Sequence, residues 1–246
     1  MKVSLVIPLY NEEKILRDTC RAVKTYMDAT FGTDYEVVFV DDGSTDGSKA
    51  ILDEVCTDRI RYLSYRPNRG KGYAVRQGML SVEGDLAVFT DCDLAYGLDV
   101  IGEIAAKFDA EPALGALIGS RAKHPEGYAG YSLFRKFVSK SYLSLLRFFG
   151  GLSLSDSQTG LKAFQRDAAK RIFSLCEVDR FAFDYEALKI GELLGVKIGE
   201  FPVKIVNNRP STIRFFRDTR RMLCDISRTK KKLRRLKKEL KTGDKS

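Results

Sequence analysis

Five short apolar runs, at 2–8, 35–41, 60–65, 85–91 and 114–119, are separated by stretches with helical spacing at 12–29, 45–57, 71–82 and 98–109. This alternation constrains the chain more than any other feature. Strand and helix in strict turn predict an α/β fold with a central, mostly parallel sheet and right-handed crossovers. A length of 246 residues fits one such domain with a full core. An apolar content of 44% and a charged content of 30% are ordinary for a globular chain.

The runs end in chemistry. The fourth opens onto Asp91-Cys92-Asp93. Side chains alternate along extended chain, so both carboxylates are expected to point the same way. Two convergent carboxylates suit Mg²⁺ or Mn²⁺, which fills its shell with substrate phosphate and water. A lone Asp-x-Asp is more often a solvated turn, and its neighbours give it weight. The first run closes at Pro8 and leads to Asn11, expected as a helix N-cap. The second runs into Asp41-Asp42-Gly43-Ser44, and the third unit ends in Asn68-Arg69-Gly70-Lys71-Gly72. There glycines leave backbone N–H groups open and Lys71 adds charge. In an open α/β sheet such strand ends face one crevice, where ligands bind. No Gly-x-Gly-x-x-Gly follows the first strand, which counts against a nicotinamide dehydrogenase.

Beyond Arg121 the pattern changes. Residues 122–131 read as loop, and 132–149 as an apolar helix broken by Arg135, Lys136, Lys140 and Arg147. That helix is too charged to span a bilayer and suits either the interface or the core. A segment at 161–165, a helix at 182–194 and a strand at 196–206 complete the body. A basic helix is expected over 212–240, and no stretch reads as transmembrane. Two units are therefore expected, a domain at 1–211 and a basic tail at 212–246. The net charge of +9 is concentrated in that tail: residues 214–246 hold fourteen Lys/Arg and four Asp/Glu, leaving the rest at −1. An anionic membrane leaflet is the expected partner of such an arm. The body carries no nucleic-acid motif. Residues 228–246 are expected to bind membrane and take no part in chemistry. The five cysteines form no Cys-x-x-Cys pair, and no secretory signal is read, so reduced thiols in a cytoplasmic setting are expected. Cys92 between two acids is a poor nucleophile. The single histidine, His124, is expected in a loop.

The motifs Ile7-Pro8-Leu9-Tyr10-Asn11-Glu12-Glu13, Val40-Asp41-Asp42-Gly43-Ser44, Asn68-Arg69-Gly70-Lys71-Gly72 and Asp91-Cys92-Asp93 together resemble family 2 glycosyltransferases of GT-A fold. Gly119-Ser120-Arg121, Phe134-Arg135-Lys136-Phe137-Val138-Ser139-Lys140, Asp156-Ser157-Gln158-Thr159-Gly160-Leu161-Lys162 and Arg180-Phe181-Ala182-Phe183-Asp184-Tyr185-Glu186 are similar to the polyprenyl-phosphate branch, on the dolichyl-phosphate glucosyltransferase side. The likeness spans residues 2–225.

That resemblance implies inverting transfer of a hexose, with glucose from UDP-glucose as first choice, to a polyprenyl or dolichyl phosphate. The reaction would take place on the cytoplasmic face of a membrane. It implies Pro8, Tyr10, Glu12, Asp41 and Asp42 at the nucleoside, Lys71 and Arg209 at the diphosphate, and Gln158 at the sugar or metal. Asp91 and Asp93 would be metal ligands. Arg121, Arg135 and Ser139 would hold the acceptor phosphate, and Asp156 would orient the reacting groups. Arg135 and Ser139 share a helix face at i, i+4, and an arginine fork suits phosphate better than lysine. Mannose synthases of this type often carry Gln two residues after the second Asp. Ala95 stands there, which weakens a GDP-mannose alternative and leaves a third metal ligand open. A non-catalytic module at the membrane surface is the alternative outside enzymes.

Overall fold

The structure is a computed structural model, and it describes residues 1–129, 151, 154–180, 182–207 and 215–243, with side chains in the last segment from 224 to 240. Seven strands form one sheet: β1 Val3–Leu9, β2 Tyr35–Asp41, β3 Ile60–Ser64, β4 Leu86–Phe89, β5 Ala116–Ser120, β6 Lys162–Gln165 and β7 Ile198–Pro202, in the order β3-β2-β1-β4-β6-β5-β7. The helices are α1 Glu13–Phe31, α2 Ser48–Val55, α3 Lys71–Ser81, α4 Asp99–Ala110, α5 Arg166–Ser174, α6 Phe183–Leu193 and α7 Phe215–Gly243.

Strands β1 to β4 pair in parallel, as do β5 and β7. Strand β6 departs from this pattern and runs antiparallel to both β4 and β5. A short apolar segment has no sequence mark for its direction, which its partners on either side decide. Every residue of β1 and β2 is buried. Leu5, Ile7, Val37 and Phe39 pack with α1 and α4 on one face, while Val6, Val38 and Val40 pack with α3, α5 and α6 on the other. Continuous apolar strands are what a sheet covered on both faces requires.

Three expectations change. Helix α5 was not anticipated, although Ala169, Ile172 and Phe173 bury the i, i+3, i+4 stripe of an amphipathic helix. It follows β6 without a loop, so no turn residue announces it. The strand expected at 196–206 ends at Pro202, on a sheet edge that tolerates proline. The basic C-terminal segment is helical, as expected, but it is not a detached arm. Ile226 is buried with Tyr185 and Leu188 of α6, Thr229 is buried, and Leu233 packs on the second core layer. Its inner face is therefore part of the body. No helix among the described residues is long and apolar enough to cross a membrane. The helix expected over 132–149 lies outside the described residues.

Candidate active site

The ends of β1 and β2 are laced together. Pro8 is buried in β1, whereas Tyr10 is 45% exposed at its mouth. Asn11 is not an N-cap: it adopts φ +55°, and its Oδ1 accepts the Thr45 N–H at 2.7 Å. Asparagine tolerates this left-handed conformation better than most residues. The N-cap position of α1 is Glu12, whose N–H donates to Ser48 Oγ at 3.0 Å. Glu13 and Asp46 then cap across the gap: Gly47 N–H donates to Glu13 Oε2 at 3.0 Å, and Glu13 N–H to Asp46 Oδ2 at 3.1 Å. The starts of α1 and α2 thus satisfy each other's open N–H groups.

Asp41 and Asp42 are buried and hydrogen-bonded within the chain. Asp41 accepts from Ser44 N–H at 2.8 Å and Ser64 Oγ at 2.9 Å. Asp42 is 3% exposed and accepts four bonds: Tyr65 OH at 2.9 Å and Arg69 N–H at 2.8 Å on Oδ1, and Asn68 Nδ2 and Gly70 N–H at 2.8 Å each on Oδ2. Four is about the acceptor capacity of a carboxylate. Asp42, expected at the nucleoside, holds the 65–70 turn through these bonds. Gly43, at φ +78°, meets that turn directly, since a Cβ there would lie 2.9 Å from Asn68 N.

The turn leads into α3, with Gly70 at its N-cap position and Lys71 as its first residue. The Lys71 ammonium is hydrogen-bonded to Asp91 Oδ1. Desolvation opposes its charge, but Asp91, with Asp184 and Asp93 behind it, holds its pKa raised. Strand β4 ends at Phe89, earlier than expected, and Asp91–Leu94 forms a turn closed by Leu94 N–H to Asp91 O at 3.0 Å. Even so, Asp91 and Asp93 are the half-exposed residues on either side of buried Cys92. Burial pushes the Cys92 thiol well up, with Glu12 adding to it, so it is a protonated spectator. Asp93 Oδ1 accepts the Ala95 N–H at 3.1 Å, and Asn207 Nδ2 donates to the carbonyls of Asp93 and Leu94 at 3.2 Å each. Asn207 had no expected role, yet it ties the 205–207 segment to the acid pair. Gly160 lies so close to Asp91 that a Cβ would sit 1.9 Å from Oδ2. No group of three or more metal-ligating side chains exists among the described residues. Two half-exposed carboxylates, one already holding an ammonium, fit a hard cation that takes the rest of its shell from substrate and water.

Asp156 is fully buried. Arg121, also buried, grips it in a fork, Nε to Oδ2 at 2.6 Å and Nη2 to Oδ1 at 2.9 Å, and adds its own N–H at 3.1 Å. Gln158 N–H donates to Asp156 Oδ1 at 3.2 Å. Removing one partner of such a buried pair costs about 3–5 kcal/mol. Lys162 was missed as a site residue: its buried ammonium pairs with Asp184 at 2.7 Å and donates to Thr159 O at 2.6 Å. Both residues lie in motifs that carried the family likeness, but nothing in their spacing marks them as a pair. His124 is a loop residue, its Nδ1 accepting Glu126 N–H at 3.0 Å. Arg135, Ser139 and Arg209 lie outside the described residues.

Residues 4–173 match the family described as Glycosyl transferase family 2. This chain belongs to that family. It is 33% identical over 215 residues to the human dolichyl-phosphate beta-glucosyltransferase, an alignment covering 82% of this chain and 66% of that protein. The Saccharomyces cerevisiae dolichyl-phosphate beta-glucosyltransferase is 32% identical over 222 residues, with the same coverage of 82% and 66%. The chain thus spans slightly less than two thirds of the length of these relatives. Its fold is similar to that of glucosyl-3-phosphoglycerate synthase from Mycobacterium tuberculosis, solved with Mn²⁺, UDP and phosphoglyceric acid. That similarity has a TM-score of 0.66 at 19% identity, covering 94% of this chain and 78% of the other. The architecture is therefore that of the GT-A glycosyltransferases.

Proposed function

We propose that this family 2 chain is an inverting glycosyltransferase that moves glucose from UDP-glucose to a polyprenyl or dolichyl phosphate. The observation that carries the reading is the cluster at the end of β4. There Asp91 and Asp93 stay half-exposed beside Lys71, while the surrounding acids are buried in internal bonds. The two dolichyl-phosphate relatives support the acceptor and the sugar.

Pro8, Tyr10 and Glu12 line the nucleoside end of the crevice, and Asp41 and Asp42 hold its floor in shape. Lys71, at the start of α3, brings a positive charge to the diphosphate. Asp91 and Asp93 are the residues that would hold Mg²⁺ or Mn²⁺, whose contribution is Lewis-acid neutralisation of the leaving diphosphate. The acceptor phosphate, with a second pKa of about 6, is already ionised at neutral pH and needs no strong base. This suits a site in which Asp156 is buried against Arg121. Asp156 orients the Arg121 fork. Arg121, Arg135 and Ser139 make up the acceptor phosphate site, Gln158 faces the sugar, and Arg209 closes on the donor. A single in-line displacement inverts the anomeric centre.

Helix α7 exposes Arg228, Lys230, Lys231, Arg234, Arg235, Lys237 and Lys238 on its outer side. An anionic leaflet attracts such residues by about 1 kcal/mol each. This favours a peripheral position on the cytoplasmic face, next to the lipid-borne acceptor. The test is a donor screen with dolichyl phosphate and Mn²⁺ or Mg²⁺. Lipid-linked glucose should form from UDP-glucose and not without metal. Equal or better transfer from GDP-mannose would overturn the donor, and no transfer from any nucleotide sugar would overturn the enzyme.

A further inference from the structure

One lysine of the basic run turns inward. Lys230 and Lys231 are exposed, but the Lys232 side chain is only 10% exposed. Its ammonium pairs with Glu186 Oε1 of α6 at 3.0 Å and Glu177 Oε1 at 3.2 Å, and donates to Leu175 O. Glu186 is 1% exposed. Its other oxygen, Oε2, accepts the backbone N–H groups of Glu177 at 2.8 Å and Val178 at 2.7 Å. Lys232 and Glu186 together therefore hold the segment between α5 and α6 by its main chain.

The opposite side of that segment is the seat of the Gly70-Lys71-Gly72 turn. Asp179 O accepts Tyr73 N–H at 3.1 Å. Arg76 donates to Cys176 O at 3.0 Å and to Asp179 Oδ1 at 2.8 Å. A Cβ at Gly70 would lie 2.6 Å from Asp179 O, and one at Gly72 would lie 2.5 Å from Val178 O. The turn and the segment meet closely through their backbones, with the Arg180 and Phe183 side chains beside the contact. Lys71 stands between those two glycines with its ammonium on Asp91. A continuous set of polar and steric contacts thus runs from α7 to the acid cluster.

We propose that Lys232 is a positioning residue. Through Glu186 it fixes the 177–179 backbone that seats the Gly70-Lys71-Gly72 turn, and so sets affinity for the donor diphosphate. This rests on the reading of that turn as the diphosphate site. Removing the ammonium leaves Glu186 as a buried charge short of its partner, and the segment it holds is free to move.

The experiment compares full-length wild type with Lys232→Met, Lys232→Arg and Glu186→Gln, using UDP with Mn²⁺ as the calorimetric probe. Val23→Ala, on the buried face of α1, serves as a control for lost stability alone. Lys232→Met should weaken UDP binding by about fivefold or more, the low end of coupling between distinct sites. Lys232→Arg should restore most of it, and Val23→Ala should leave it unchanged at a comparable loss of Tm. Amide exchange at Tyr73 should quicken in Lys232→Met and not in Val23→Ala, a readout that needs no ligand. If Lys232→Met does not fold, Glu186→Gln should give the same pair of changes. Unchanged UDP affinity and unchanged Tyr73 exchange in a folded variant would overturn the proposal. Failure of the wild type to bind UDP would instead strike the donor reading, and the exchange result would still decide whether Lys232 holds the turn.

Discussion

Asp41-Asp42 and Asp91-Asp93 stand at the ends of β2 and β4, the two strands that flank β1. In sequence they look alike, each an acid pair after an apolar run. In the fold they are opposites. The first pair is buried, and Asp42 alone accepts four bonds from the 65–70 turn. The second pair is half-exposed, with Asp91 holding a lysine that its own field keeps charged. A carboxylate surrounded by internal donors is a structural anchor. One that stays partly exposed can be reached by a cation. Burial, not the motif, separates the two pairs.

The largest effect should come from the open pair. Asp93→Asn should lower turnover by about 10²–10³-fold, the scale of losing one electrostatic stabiliser of developing charge. Its fold should persist, because an amide carbonyl can still accept the Ala95 N–H. Steady-state transfer with saturating Mn²⁺, alongside a melting curve, measures both. Near-wild-type turnover would remove Asp93 from the metal site.

Asp42→Asn should do the reverse, with stability falling first. Whichever way the amide is turned, its NH₂ faces a backbone donor, Arg69 N–H or Gly70 N–H. Leaving such a group unpaired costs about 1–3 kcal/mol. Urea unfolding should register that loss, and UDP affinity should weaken with it because the turn carries Lys71. Full stability with abolished UDP binding would break the contrast, since Asp42 would then touch the nucleotide itself.

The smallest effect concerns an acid that is structural by the same criterion. Glu36, near the start of β2, accepts Ser4 Oγ and Glu83 N–H at 2.6 Å each, with Arg61 at 3.2 Å. Burial alone would raise its pKa, but these partners outweigh it and hold the pKa below the usual 4.5. A depressed folded-state pKa gives stability that is present above the unfolded value and lost as pH falls through the folded one. Between pH 5 and pH 3, wild type should therefore lose more stability than Glu36→Gln. Parallel pH profiles for the two proteins would show that Glu36 is not an anchor of this kind.

Much of the architecture was legible because apolar periodicity is a local property. The four strand–helix units before residue 110 appear where their spacing put them, shifted by a few residues at their ends. Part of the candidate site was legible as a place: Lys71 and Asp91 meet past the end of β4, with Gly160 against Asp91. Individual roles were less so. Asn11 looked like a cap because asparagine often is one, yet it bridges two loops. Nothing in the basic run distinguishes Lys232 from its exposed neighbours Lys230 and Lys231, yet it pairs with buried Glu186.

The sequence by itself determined the alternation of elements, the family and the supply of acids and glycines at the strand ends, all of which follow from residue type and short-range spacing. Tertiary structure decided the direction of β6, the docking of α7, the pairing of Arg121 with Asp156 and of Lys162 with Asp184, and the division of labour between the two acid pairs. The physical reason is common to all four. A polar group's role depends on how many donors, acceptors and waters remain around it after folding. Those partners come from residues such as Arg121 and Asp156, or Glu186 and Lys232, that lie 35 and 46 positions apart.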